Sequence, residues 1–540
     1  MIEHFDARGD RANLIADVCI VGGGASGVTL ADALVAEGRE VLLLESGGTD
    51  HDPAVQSLMQ GASHGFPYYD LADCRLRFFG GTTAIWGGRC AQLNEIDFQR
   101  RAWVPHSGWP ITKADLAPLY ARAQGLLGLP PTDGEDELWD AHGLTPPPWS
   151  PEVIGSAFWQ FDQESDRFAV RQPARIKASR RARILLHASV TGIRLNPQGS
   201  AVVALDFANL AGGRGRVRAR QFVLAAGGIE NARILLASDD VRPNGVGNDH
   251  DLVGRFFMEH PHARGARIET SAVMRLLRAL PRSYSRGGIR HAAVARPAPA
   301  LQRREGLLNS AFTLAARQHP GARMVMAKRL LLSLRDNLDP DRQNRRLWNL
   351  YRRQVIRLRQ HAGPLLAWAS IRSGGYGLYT VLRAEQAPNP QSRVTLGPAR
   401  DALGMRQVSL DWRMSAIDKH TARATMLALD GELARLGLGR CILEPWLADD
   451  GPDWQTDPLI SNHPIGGFHH MGTTRMAASP RAGVVDADCK VHGIANLWVA
   501  GSSVFPTSGW ANPTLTILAL ALRLADHLAQ SVARPLRIAS

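Results

Sequence analysis

Two strand–glycine–helix units lying far apart in the chain, and a later stretch of alternating apolar and polar residues, predict an α/β fold. The paired units ask for a Rossmann-like, nucleotide-binding sheet assembled from distant pieces. The alternation asks for a second, α+β part made of an antiparallel sheet and helices.

The first unit is residues 17–48, DVCIVGGGASGVTLADALVAEGREVLLLESGG. Val18, Cys19, Ile20 and Val21 have the length and β-branched character of a buried strand. Gly22, Gly24 and Gly27 follow as GxGxxG: the first makes a tight turn, the second lets the backbone approach a pyrophosphate, the third lets helix pack on strand. The helix carries Val28, Leu30, Ala31 and Leu34 and ends near Gly38; Val41–Leu44 is the next strand. Its free amides and dipole favour an anion at the start. Glu45, 18 positions beyond Gly27, stands where an acid takes ribose hydroxyls.

The second unit runs from the apolar Phe222, Val223 and Leu224 through AAGGIENARILLAS (225–238), whose Ile229, Ala232, Leu235 and Leu236 fall on one helical face. Strands are expected at 184–186, 189–195 and 202–207. The chain then leaves this sheet and returns with Leu497–Ala500, ending at Gly501, which delivers a loop to the carboxyl edge where α/β folds bind ligands. A last helix follows at 515–528.

Between these pieces, residues 52–75 read as irregular. RLRFFGGTTAIWGGRCAQL (75–93) holds two glycine pairs, Gly80-Gly81 and Gly87-Gly88, that allow close approach to a flat ligand. A helix is expected within 108–129. Residues 376–412 alternate in three strand-like runs, read as one antiparallel sheet, and Met414–Leu436 reads as a helix ending at Gly437.

A chain of 540 residues, 45% hydrophobic, can bury a large core and more than one domain. Its net charge of +13 is concentrated: residues 321–372 hold 12 Lys and Arg against three Asp. That is a local feature, and no nucleic-acid motif accompanies it. Leu347, Leu350, Tyr351, Val355 and Leu358 fall on one helical face there, flanked by arginines. The segment reads either as a helix on an anionic membrane surface or as a solvated helix packed over the site entrance. Five cysteines with no CxxC fit reduced thiols. His260 and His262, around Pro261, lack a third ligand at useful spacing, so no metal is expected. The opening residues carry no apolar export core, and no run spans a membrane, so a cytoplasmic chain is expected, with membrane-peripheral contact through 321–372 as the second option.

The chain resembles the glucose-methanol-choline (GMC) oxidoreductases over nearly its whole length. The resemblance rests on Val21–Gly27 with Glu45, GGTTAIWGG (80–88), AAGGIENARILLAS, HHMGTTRM (469–476) and NLWVAGSSVFPTSGWANPT (496–514). It implies FAD, a two-domain GMC-type fold, and oxidation of an alcohol by hydride transfer to flavin N5. The domains would be 1–75, 165–262 and 455–540 for FAD, and 76–164 with 263–454 for substrate. FAD would be held by Gly22, Gly24, Ala25, Ser26, Gly27, Glu45 and Ser46; by Gly81, Thr82, Trp86, Gly87 and Gly88; by Val190, Ala226 and Gly227; and by Gly501, Ser502, Asn512, Pro513 and Thr514. The HxxGTxRM form is similar to the branch with pyranose oxidase and the gluconate and fructose dehydrogenases. On that branch's pattern His469 is the catalytic base and Asn512 its partner, with His470 the competing histidine.

Alcohol oxidation removes a hydroxyl proton and a C–H hydride. A flavin takes the hydride, and histidine, with its pKa near neutrality, suits the proton. Asn512 would bond the same oxygen, and the helix starting at Pro513 and Thr514 would face an anionic flavin. The substrate class implied is a sugar, glycoside or bulky secondary alcohol, with oxygen, a quinone or another carrier as acceptor. The alternatives are lyase-type chemistry on the same fold, or a dehydrogenase of a sterol-like alcohol at a membrane. An NAD enzyme explains Gly22–Glu45 but none of the later motifs. Three departures stand out. Ile85 occupies the position at which some relatives link flavin to histidine, so FAD should be noncovalent. Ser502 stands where the family has Asp, and residues 321–372 have no counterpart.

Overall fold

A computed structural model describes residues 1–5, 11–131, 139, 145–164, 166–280, 284–286, 288–319, 339–449, 451, 453–456 and 469–531. The first sheet is organised around β2 (Arg11–Val21), whose Val18, Cys19, Ile20 and Val21 are all buried. A strand covered on both faces reads as a continuous apolar run, as this one does. Parallel neighbours are β3 (Val41–Leu44) on one side and β10 (Arg214–Leu224) on the other. Beyond β3 lie β7 (Ala182–Leu186) and β1 (Ile2–His4); beyond β10 lie β9 (Val202–Ala208) and β8 (Ser189–Leu195), both antiparallel. β19 (Leu497–Val499) joins in parallel beside the carboxyl end of β10, so residues Val21, Leu224 and Val499 end together at one edge.

Helix α1 (Ala25–Ala36) starts at that edge directly after β2 and packs against α6 (Thr514–Ser531), whose Leu515, Leu518, Leu522 and Ala525 are buried. α3 (Gly227–Ala237) starts there too, after β10, with Ile229, Ala232 and Leu235 buried. The sheet thus presents the N-termini of two helices, α1 and α3, to one crevice.

The second sheet is antiparallel throughout: β18 (Arg440–Leu443), β11 (His262–Glu269), β15 (Tyr376–Arg383), β14 (Ala311–Gln318), β13 (Ile289–Pro297), β6 (Ile154–Phe161) and β5 (Arg89–Cys90), with β12 (Tyr284–Arg286) on β13. Buried Ala422, Met426, Leu429 and Leu433 of α5 (Ala416–Arg435) lie in its core. α5 begins two residues later than expected because Ser415 and Asp418 form a reciprocal cap. The helix expected within 108–129 is α2 (Lys113–Leu126), capped by Thr112 and Asp115.

Two expectations are corrected. Residues 52–75 are not irregular: they contain helical turns at Pro53–Gln56 and Ser57–Met59 and a strand, β4 (Gly61–Gly65). β4, GASHG, has no apolar residue larger than Ala62 to betray it, and a Cβ on Gly61 would stand 2.4 Å from the Val408 carbonyl, so the glycine permits the pairing. Nor do the three runs of 376–412 share a sheet. β15 belongs to the second sheet, while β16 (Arg393–Arg400) and β17 (Arg406–Trp412) form a third with β4, parallel to β17. Alternation reports a half-buried strand but not its neighbour.

A buried ion cluster ties the third sheet to α3. Arg233, fully buried, reaches Asp401 at 2.7 Å, while Glu230 meets Arg75 at 3.1 Å and Arg233 at 3.4 Å. Although burial opposes ionisation, the three arginines around Glu230 hold its carboxyl down at about 2.

Of the basic segment, 321–338 lies outside the described residues; the rest is α4 (Arg342–Arg372). The inward face of its first half is basic, whereas Ala367 and Ile371 of its second half pack on the core of the second sheet. Arg345, 5% exposed, pairs with Asp50 at 2.8 Å over the Phe78 ring, and Arg352 donates to the carbonyls of Trp86 and Gly87 at 2.9 and 2.8 Å. Leucines therefore point outward.

Candidate active site

The crevice at the sheet edge is a cavity lined by Gly22, Gly24, Ala25, Ser26, Glu45 and Ser46, by Gly81 and Thr82, by Val190, Ala226 and Gly227, and by Gly501 and Ser502. Its chemistry fits a dinucleotide. α1 has no side-chain cap, Ser26 Oγ in its first turn is buried without a partner, and nothing lies within 4 Å of where a Cβ on Gly24 would stand. Uncapped amides and an idle hydroxyl at a helix start suit a pyrophosphate. Glu45 accepts the amides of Gly23 and Gly47 at 2.7 and 2.9 Å, one on each oxygen, leaving lone pairs for a ribose. The residues present therefore fit FAD.

The sequence reasoning missed Arg75, Arg77, Phe78 and His470 in this lining. Conversely, seven residues expected to touch the cofactor lie outside it. Gly27 serves packing, since its Cβ would meet the Gly22 carbonyl at 2.0 Å. Gly88, with φ +71°, abuts Asp162, while Gly87 and Trp86 offer their carbonyls to Arg352. Asn512, Pro513 and Thr514 lead into α6.

Asn512 faces His469 instead: Asn512 Nδ2 and His469 Nε2 are 3.2 Å apart. On the ring's other side, His469 Nδ1 and His260 Nδ1 are 2.9 Å apart, and His260 Nε2 lies 2.8 Å from the Gly509 carbonyl. These contacts fix the protons. A carbonyl only accepts, so His260 Nε2 carries a hydrogen. Burial pushes the His260 pKa down to about 4, so the ring is neutral and its Nδ1 is an acceptor. His469 Nδ1 therefore donates, and His469 Nε2 holds a lone pair. The pKa of His469 is itself held well below the usual imidazole range, first by burial, then by His260 and Arg383.

Glu259 fixes the backbone of this pair. Its Oε1 accepts from Tyr68 Oη at 2.8 Å and from the His469 amide at 2.7 Å, and its Oε2 accepts from the His260 amide at 3.1 Å. Buried completely, its carboxyl titrates at about 7. His470 is placed differently. It packs against Tyr68 and Phe257, its carbonyl accepts from Ser502 Oγ at 2.6 Å, its Nε2 has no hydrogen-bond partner, and burial takes its pKa to about 3. Sequence reading had considered His260 and His262 only as metal ligands. No group of three His, Cys, Asp or Glu among the described residues could hold a metal. Residues 463–468, HPIGGF, which precede His469, lie outside the described residues.

Family models match in two places: GMC oxidoreductase over residues 388–521 and FAD dependent oxidoreductase over 17–244. The chain thus carries a GMC oxidoreductase domain in its C-terminal part and an FAD dependent oxidoreductase domain in its N-terminal part. Similar curated proteins span this chain almost end to end. A paromamine 6'-oxidase from Streptomyces fradiae is 27% identical over 97% of this chain and 93% of that one. A 2-methyl-1,2-propanediol dehydrogenase from Mycolicibacterium austroafricanum is 23% identical over 95% of each. The crystal structure of pyridoxine 4-oxidase from Mesorbium loti shares the fold, with a TM-score of 0.53, 19% identity, and coverage of 95% of this chain and 99% of that one. With these two domains the chain binds FAD.

Proposed function

We propose that this protein oxidises an alcohol to a carbonyl compound, with His469 taking the hydroxyl proton and Asn512 holding the same oxygen. The observation that carries the reading is the lone pair on His469 Nε2, fixed in place by His260 and set beside Asn512 Nδ2. FAD, when bound, supplies the acceptor for the hydride. The side chains do the rest. Nε2 accepts the proton, Asn512 donates to the oxygen as it gains negative charge, and His260 and Glu259 keep the imidazole from turning. Relatives named for an aminoglycoside, a diol and, in a fructose dehydrogenase large subunit 23% identical, a sugar support hydroxyl-bearing substrates. None of these names points to non-redox chemistry.

The test is anaerobic mixing of the yellow holoenzyme with a panel of sugars, glycosides, diols and alkanols. At least one class is expected to bleach the flavin; a panel that leaves the spectrum unchanged argues against oxidation. Because Ile85 offers no atom for linkage, acid precipitation should release the flavin into the supernatant.

A second reading concerns α4. Leu347, Leu350, Tyr351, Leu358 and Leu365 are each more than half exposed and share one face, edged on one side by Arg346, Arg353 and Arg357. No helix among the described residues is long and apolar enough to cross a membrane. An outward apolar stripe edged by arginine suits one that lies in an anionic lipid surface.

A further inference from the structure

The face of the second sheet turned toward Asn512 carries two positive charges, one buried and one half-buried, with no ion-pair partner among the described residues. Arg89 on β5, Phe161 on β6 and Arg290 on β13 stand in one cross-strand row. Directly paired residues project to the same face of a sheet, and so does Trp159, two positions before Phe161. That face looks onto the site. The ring of Trp159 lies 5.7 Å from that of Trp510, which sits between Gly509, the acceptor for His260, and Asn512.

The guanidinium of Arg290 lies 3.5 Å from the Phe161 ring centre, and that of Arg89 lies 5.4 Å from Trp159. Arg290 is 8% exposed, and in both arginines Nε is buried with no hydrogen-bond partner. Neither forms an ion pair with a described residue. Arg290 also lines a cavity with Trp86, Arg352, Arg353 and Arg357. The acids in that cavity are already engaged: Asp162 holds Arg167 at 2.6 Å, and Glu164 pairs with Arg167 and Arg171.

A buried guanidinium without a partner is costly, and aromatic faces offset only part of that cost. Burial and the neighbouring arginines lower the pKa of Arg290 to about 9 and of Arg89 to about 10. Both remain charged at neutral pH. A neutral polyol would leave the two charges uncompensated, and an amino alcohol would add a third of the same sign. FAD is not the missing anion, since the dinucleotide cavity is lined by Arg75 and Arg77 but by neither of these.

We infer that the alcohol oxidised here carries an anionic group, a carboxylate or a phosphate ester, received by Arg89 and Arg290 while its hydroxyl lies at His469 and Asn512. This rests on the oxidation reading above. The anionic group is a handle and stays unchanged; the hydroxyl proton goes to His469 Nε2 and the hydride to FAD.

The test uses holoenzyme and alcohols matched in skeleton but not in charge: glucose, glucosamine, glucuronate and glucose 6-phosphate, and glycerol beside glycerate and glycerol 3-phosphate. One anionic arm should exceed its neutral partner at least about tenfold in kcat/KM for flavin reduction, with the amine lowest; the arm that wins separates carboxylate from phosphate. Arg290→Gln and Arg89→Gln should each cost the anion roughly tenfold to a hundredfold, mainly through KM, the range of a charge-assisted bond. Neutral alcohols should change less than about threefold, and Arg290→Lys should restore part of the loss. Preference for the neutral or amino form, or equal losses on all substrates in variants that keep FAD, overturns the inference. Titration with malonate and inorganic phosphate, read by flavin absorbance, stands apart from turnover. If no alcohol bleaches the flavin yet one anion binds saturably to the wild type and not to Arg290→Gln, oxidation falls and the anion site holds. If neither anion binds, the anion site falls.

Discussion

The Nδ1 atoms of His260 and His469 lie 2.9 Å apart, so one of the two must carry a proton and the other must not. The Gly509 carbonyl decides which, by occupying the donor end of His260. His260→Ala should keep FAD yet slow flavin reduction by roughly tenfold to a thousandfold, part of what a positioned base supplies. It should also distort the pH profile, because His469 is then free to exchange tautomers. A rate within twofold of wild type would show that the contact is packing alone.

Replacement of His469 with Ala should lower the anaerobic reduction rate by about 10²–10⁴ while FAD is retained. Asn512→Ala should hurt the same step, and the double variant should lose less than the product of the two, since both act on one oxygen. His470→Ala should instead weaken flavin retention, because His470 lines the dinucleotide cavity. A large kinetic loss in His470→Ala with His469→Ala near normal would reverse the assignment.

Two pH effects of known sign follow. Since the His469 pKa is depressed, its Nε2 remains an acceptor as pH falls through the ordinary imidazole range near 6.5, so the reduction rate should stay level there. A fall centred near 6.5 would contradict this. Glu259 behaves oppositely. Its folded pKa, about 7, lies above the ordinary carboxyl value of 4.5, so the stability it contributes is present below 4.5 and lost as pH rises through 7. The loss is about 3 kcal/mol. Glu259→Gln should not show it, which melting curves at pH 5 and pH 8 would reveal.

Charge placed on the outer face of α4 should leave the enzyme intact and strip it from lipid. Leu347→Glu with Leu358→Glu should abolish sedimentation with anionic vesicles while leaving flavin reduction by a soluble alcohol unchanged. Identical sedimentation of variant and wild type would mean that the stripe is solvated.

The fold was legible wherever its signal was local. Gly22, Gly24 and Gly27 between two apolar strands announce a phosphate-binding turn because strand, turn and helix occupy one short window. β4 escaped notice because GASHG has no apolar period and is held by its neighbour's backbone. The site divides in the same way. His469 and Asn512 stood out through their motifs. The pairing of His260 with His469 spans 209 residues, and no spacing rule connects them. Arg89 and Arg290 become a pair only when Phe161 stands between them in the sheet.

The neighbours of β2 also carry a cost in time. Val18 pairs with Gln221 of β10, and Phe222 of that strand pairs with Leu497 of β19. At a translation rate of 5–20 residues per second, the apolar end of β2 waits about ten to forty seconds on the ribosome before β10 exists to cover it, and β10 waits comparably for β19. The newborn chain therefore exposes a long, sticky strand edge for tens of seconds, an interval that suits a chaperone working during synthesis, and flavin can enter only once nearly all of the chain has emerged.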